Sequence, residues 1–160
     1  MQMFDASSMI YAWDNYPLGQ FPPLWAWLGS QVNAKLLTLS ETAFKEVCDK
    51  SPECEDWLKE NQLTPIKNDG LVLSEAASIK SLLQIEGDNY HVNGVDENDL
   101  LIIAASRVNA AQLVSNEAKQ PNLPSDLRRY KIPAVCAHLN SPVPCQDFID
   151  YIKASQAVFG

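Results

Sequence analysis

The stretch from Asp99 to Glu117 carries an acid at each end, and its middle, Leu100 to Ala105, is apolar on every side. A helix apolar all round belongs in the interior. A carboxylate at each end of a buried helix–strand unit is costly unless something positive sits between them. A divalent metal ion is the simplest physical answer, and it requires further carboxylates to arrive at the same place.

Two other segments offer them. The opening Met3-Phe4-Asp5-Ala6-Ser7-Ser8-Met9-Ile10 reads as a short strand that runs into a helix, with Asp5 at the junction. Lys35 to Leu39 is a second β-prone run. After it Ser40 is a good N-cap for a helix over Glu41 to Asp49. Glu41, in the first turn, is explained by the helix dipole alone. Glu46 lies deeper, beside Val47 on the apolar side, and has no such local reason. Glu46 is therefore preferred as the fourth carboxylate, with Glu41 as the alternative. Asp99 also has a local reading, because Asp96-Glu97-Asn98-Asp99 is an acidic helix start. Taken alone, Glu117 is an ordinary loop acid.

The elements that must position these acids alternate between short apolar strands and helices. That order predicts a three-layer α/β/α sandwich around a short, mostly parallel sheet. In such sheets function gathers beyond the carboxyl ends of the strands. Asp5 ends the first strand, and Glu117 lies just past a strand over Ala111 to Ser115. Helices are expected over Leu24–Leu28, Glu53–Asn61, Glu75–Ile85 (capped by Ser74) and Gln146–Ala157. Ile132 to Cys136 reads as a last strand, placed at an edge by Pro133. The 160 residues fit a single domain.

Four carboxylates suit Mg2+ or Mn2+, which prefer oxygen ligands. Ser7, Ser115 and Asn116 are placed to orient them or to hold water. Other chemistries lack their residues. No phosphate-binding Gly-x-x-x-x-Gly-Lys loop and no Gly-x-Ser-x-Gly elbow exists. An Asp-nucleophile phosphatase would want a second acid two residues after Asp5, where Ser7 stands. The four cysteines include no Cys-x-x-Cys pair, and His91 and His138 are isolated, so zinc spacing is absent and reduced, largely buried thiols are expected. The net charge of −8 argues against passive binding of nucleic acid through a basic face. Bound cations would reverse the sign locally, and basic residues gather late, at Lys119, Arg128, Arg129 and Lys131. No apolar run approaches the ~20 residues that span a bilayer, and the N-terminus lacks the pattern of a secretion signal. A cytoplasmic protein is the expectation.

Three motifs carry a family resemblance. Phe4-Asp5-Ala6-Ser7 resembles the opening strand of PIN-domain nucleases, the fold of VapC-type toxins. Asp99-Leu-Leu-Ile-Ile-Ala-Ala-Ser is similar to their Asp-led, Ala-rich helix. Leu113-Val114-Ser115-Asn116-Glu117 resembles their Thr-Asn-Asp strand end, with Ser115 and Glu117 in place of Thr and Asp. Lys131 to Cys136 and Phe21 to Trp25 look like a PIN subfamily of unassigned function. The resemblance implies a Mg2+- or Mn2+-dependent endoribonuclease with Asp5, Glu46, Asp99 and Glu117 as catalytic, metal-holding residues. It also implies RNA as substrate, a cognate antitoxin that blocks the acidic pocket, plausibly with an Arg, and a homodimer. Glu117 reaches one methylene further than Asp, which shifts the ion or limits the site to one. A PIN-like module that acts by binding a protein is the alternative reading.

Overall fold

A computed structural model describes residues 1–160. Its centre is a four-stranded, wholly parallel sheet in the order β2-β1-β3-β4. The strands are β1 (Gln2–Phe4), β2 (Leu37–Thr38), β3 (Gln112–Val114) and β4 (Cys145–Gln146). All are very short. Met3, Phe4, Leu113 and Val114 are nevertheless fully buried, as parallel strands covered by helices on both faces must be. Met3 pairs with Thr38 on one side and Leu113 on the other.

Helices α1 (Ala6–Asn15), α2 (Pro22–Asn33), α3 (Glu41–Lys50) and α4 (Pro52–Glu60) precede α5 (Gly70–Leu82) and α6 (Glu97–Val108). The chain closes with α7 (Ile132–His138) and α8 (Phe148–Ser155). The architecture is the predicted α/β/α sandwich around a short parallel sheet. No helix is long and apolar enough to cross a membrane.

Helix α6 is the axis of the fold. Leu100 and every residue from Ile102 to Ser106 are buried, as the run of apolar residues requires. It packs most extensively on α5 and also meets α3, α7 and β3. Arg107 closes the α5 contact through an ion pair with Glu75 (2.5 Å). The buried Ser106 hydroxyl is satisfied within the helix, donating to the Ile102 carbonyl (3.2 Å). Aromatic residues are core here: Trp25 meets Trp13 and Trp57 edge to face, with centroids 5.2 and 4.9 Å apart.

Three expectations are corrected. Ile132 to Cys136 is the helix α7, and the last strand is β4. Pro133 sits in the first turn of α7, where its missing N–H costs nothing and its fixed φ favours the helix. Helix α5 begins at Gly70 under an Asp69 cap, whose carboxylate accepts from Val72 N–H (3.0 Å), five residues before the predicted start. Helix α8 is shorter than predicted. Asp147 caps it, and the left-handed Gln156 (φ 56°) ends it. The cysteines are free, with Cys54 and Cys136 buried and Cys48 and Cys145 partly so.

Candidate active site

Asp5 continues the ladder beyond β1, its amide donating to the Val114 carbonyl (2.8 Å). It then becomes the N-cap residue of α1. This position brings the side chain to the carboxyl end of β1 and beside that of β3. It is 3% exposed. Its Oδ2 accepts from the Ser7 hydroxyl (2.5 Å) and the Ser115 hydroxyl (3.0 Å). The serines are held in turn: Asn116 N–H donates to Ser7 Oγ (3.0 Å) and Glu117 N–H to Ser115 Oγ (3.2 Å). The segment after β3 is thereby stitched to the start of α1. Ser8, which the sequence reading passed over, adds to this join by donating to the carbonyls of Asp5 (2.8 Å) and Val114 (2.7 Å). Asn116 takes part through its main chain only, since its side-chain oxygen accepts from Phe148 N–H at the start of α8 (3.0 Å).

Asp99 does not itself start α6. The cap is Asp96, and the two form a capping box. Asp99 N–H donates to Asp96 Oδ1 (2.9 Å), and Asp96 N–H donates to Asp99 Oδ2 (3.0 Å). This reciprocal pair fixes the rotamer of Asp99. Glu46 is half-buried on α3, with Asn98 near it. Glu41 is exposed, and its Oε1 accepts from Asn68 N–H (2.7 Å), bracing the loop before α5.

Glu46, Asp96, Asp99 and Glu117 wall one cavity of about 290 Å³, together with Lys50 and Lys131. Asp5 lies outside its lining but close enough for its charge to act on both Glu46 and Asp99. The rim includes Gly94, packed so closely on the Arg128 carbonyl that a Cβ there would lie 1.8 Å from it. A larger cavity of about 380 Å³, walled by Tyr16, Phe21, Phe148 and Phe159 among others, shares no residue with this one and is largely apolar.

The carboxyls of Asp5, Glu46 and Asp99 are all raised, chiefly by burial. Burial pushes the Asp5 carboxyl up, only partly opposed by the Ser7 and Ser115 hydroxyls. Burial and then the Asp5 charge raise Glu46, against Lys50 and Asn98. Burial raises Asp99 to about 8, with the charges of Asp96, Asp5 and Glu117 adding to it and the Asp96 amide opposing it. None of the five ion pairs in the protein engages Asp5, Glu46, Asp99 or Glu117. Oxygen donors without an ion-pair partner are of the type that a hard divalent ion takes. They are not closed around a point: no three His, Cys, Asp or Glu side chains are gathered tightly enough to hold a metal ion. Carboxylates of like charge repel at the short separations that ligation demands.

Comparison with solved structures places the fold. A chain in the crystal structure of VapBC2 from Rickettsia felis, bound to a DNA fragment from their promoter, superposes with a TM-score of 0.50 at 19% identity. The match covers 81% of this chain and 96% of that one. The fold is PIN-like. The chain belongs to the family described as a domain of unknown function, DUF4411, which matches residues 2–159. No protein with a curated function matches it.

Proposed function

We propose that the protein is a Mg2+- or Mn2+-dependent endoribonuclease, a single domain over residues 1–160, acting in the cytoplasm as the toxin of a toxin–antitoxin pair. The observation that carries this is the cavity walled by Glu46, Asp99 and Glu117 with Asp5 buried behind it. These are four acids with no ion-pair partner, at the carboxyl end of a parallel sheet. The PIN-like fold and its similarity to a chain of the VapBC2 structure support the toxin reading. A cognate antitoxin and a second copy of the chain are the expected partners.

Bound Mg2+ or Mn2+ would polarise the scissile phosphoryl group and make water a stronger nucleophile. Asp5, Glu46, Asp99 and Glu117 would hold the ion, and the chain's own geometry does the positioning. The Ser7 and Ser115 hydroxyls fix the Asp5 carboxylate, so its orientation is set before any ligand arrives. The capping box does the same for Asp99. Burial, with the charges of Asp96, Asp5 and Glu117 adding to it, holds the Asp99 proton, which a bound cation would have to displace. Glu117, anchored through its amide to Ser115, lines the cavity with its longer side chain.

End-labelled single-stranded RNA tests the proposal. With Mn2+ or Mg2+ the wild-type protein is expected to produce fragments, and with EDTA none. Fragments that form equally in EDTA, or no cleavage of any RNA tried in either metal, would oppose it. The second reading, a PIN-like module that works by binding protein, is favoured by the absence of three acids gathered at one point.

A further inference from the structure

We propose that Lys50 and Lys131 hold the phosphate backbone of the RNA at the mouth of the carboxylate cavity. The inference rests on the nuclease reading and names the residues that let an acidic protein take a polyanion.

Both lysines line the cavity, yet neither forms an ion pair with any of its carboxylates. That restraint is informative for Lys50. It follows Glu46 by four residues on α3, the spacing and order that favour a helix ion pair. On the same helix Lys45 does close on Asp49 (3.0 Å), and on α4 Glu55 and Lys59 close at 2.5 Å. Glu46 instead feels the charges of Asp5, Lys50 and Asp96 through space. The Lys50 ammonium acts on Glu46 from a distance and closes no ion pair with it.

Lys131 is positioned by its main chain. Its N–H donates to Gln120 Oε1 (2.8 Å), while Gln120 Nε2 donates to the Arg129 carbonyl (3.0 Å). On the other side Val95 N–H donates to the Tyr130 carbonyl (2.9 Å), and Gly94 packs against the Arg128 carbonyl. The segment 128–131 is clamped between two loops, which sets Lys131 at the cavity wall. The other late basic groups are otherwise occupied or placed. Lys119 pairs with Asp150 and Arg128 with Asp126, and Arg129 does not line the cavity.

An unpaired ammonium in a cavity of carboxylates has two uses. It neutralises the acids, or it contacts the anion that the cavity receives. Lys50 offsets Glu46 only through space, and with no ion pair closed both ammonium groups stay open to the second. A phosphodiester oxygen is the matching ligand, since lysine binds phosphate as a mobile point charge.

The test separates RNA from metal. Lys50→Ala, Lys131→Ala and both Lys→Arg variants are titrated with Mn2+ by calorimetry without RNA. They are then titrated with a short fluorescein-labelled single-stranded RNA of mixed sequence by anisotropy, with Ca2+ replacing Mn2+ to slow cleavage. Each alanine variant is expected to weaken RNA binding roughly 3- to 10-fold and to reduce the salt dependence by about 0.7 in the log–log slope. Mn2+ affinity should not weaken, since the removed charge opposes a cation, and the Arg variants should retain RNA binding. RNA affinity equal to wild type in both alanine variants would overturn the proposal and leave the nuclease reading standing. RNA affinity that falls only in step with a changed Mn2+ affinity would also overturn it, showing the lysines to be counter-charges. A wild type that binds neither Mn2+ nor RNA would overturn the nuclease reading itself.

Discussion

Asp99→Asn is expected to stop metal-dependent RNA cleavage while making the metal-free protein more stable at pH 8. The amide is nearly isosteric and keeps an oxygen to accept from Asp96 N–H, so the capping box and the start of α6 survive. What disappears is the charge. A cation in the cavity would lose one of its anionic ligands, and cleavage should fall at least about 100-fold, the upper end of what losing a mere supporting partner costs. Stability moves the other way. In the unfolded chain the Asp99 carboxyl ionises near 3.8, and in the folded chain burial holds its proton to about 8. Between those values the folded state binds more protons than the unfolded one, so stability falls as pH rises. The stability linked to this proton is fully present below pH 3.8 and lost as pH passes through about 8. Asn never ionises, so the variant should gain about 1–3 kcal/mol over wild type at pH 8, and nothing comparable at pH 4. Urea melts of both proteins in EDTA at the two pH values measure it. A variant less stable than wild type at pH 8 would show that Asp99 is stabilising as an anion.

Mn2+ is expected to stabilise the wild-type protein, and more so at high pH. An ion that binds only the folded state contributes RT ln(1 + [L]/Kd), about 2.7 kcal/mol at a concentration 100 times Kd. For a chain of this size that raises Tm by roughly 5–10 °C. The ion must displace the proton that Asp99 holds up to about 8, and the raised pKa of Asp5 and Glu46 acts in the same direction. The shift should therefore be small at pH 5 and approach its full size near pH 8. Thermal melts with and without Mn2+ across that range provide the check. A shift independent of pH would place the ion away from these carboxylates.

Much of this arrangement was legible in the sequence because the acids sit against apolar runs. Asp5 follows a strand too short to have other business at its end, and Leu100–Ala105 must be interior whatever the fold. Glu46 was preferred over Glu41 because only Glu41 had a local explanation. Its role in bracing Asn68 differs from the dipole role expected, but it too is a local one. The failures share a physical cause. Ile132-Pro-Ala-Val-Cys is too short and too uniformly apolar for periodicity to tell strand from helix, and Pro133 fits an edge strand or a first helical turn equally well. Gly70 reads as a breaker, although an Asp69 cap before it lets a helix begin there. Lys50 and Lys131 owe their place in the cavity wall to neighbours far along the chain, which no local pattern encodes. The spacing Glu46–Lys50 was visible, but it suggests a surface ion pair until the structure shows that none forms.

The central claim, that Asp5, Glu46, Asp99 and Glu117 form one divalent-ion site, is tested most directly by calorimetric titration of the protein with Mn2+ at pH 8. Wild type is expected to bind with a defined stoichiometry at or below millimolar concentration, and Asp5→Asn and Asp99→Asn to show no such binding while remaining folded. Wild-type protein that binds no Mn2+ at millimolar concentration, or variants that bind it as wild type does, would contradict the claim.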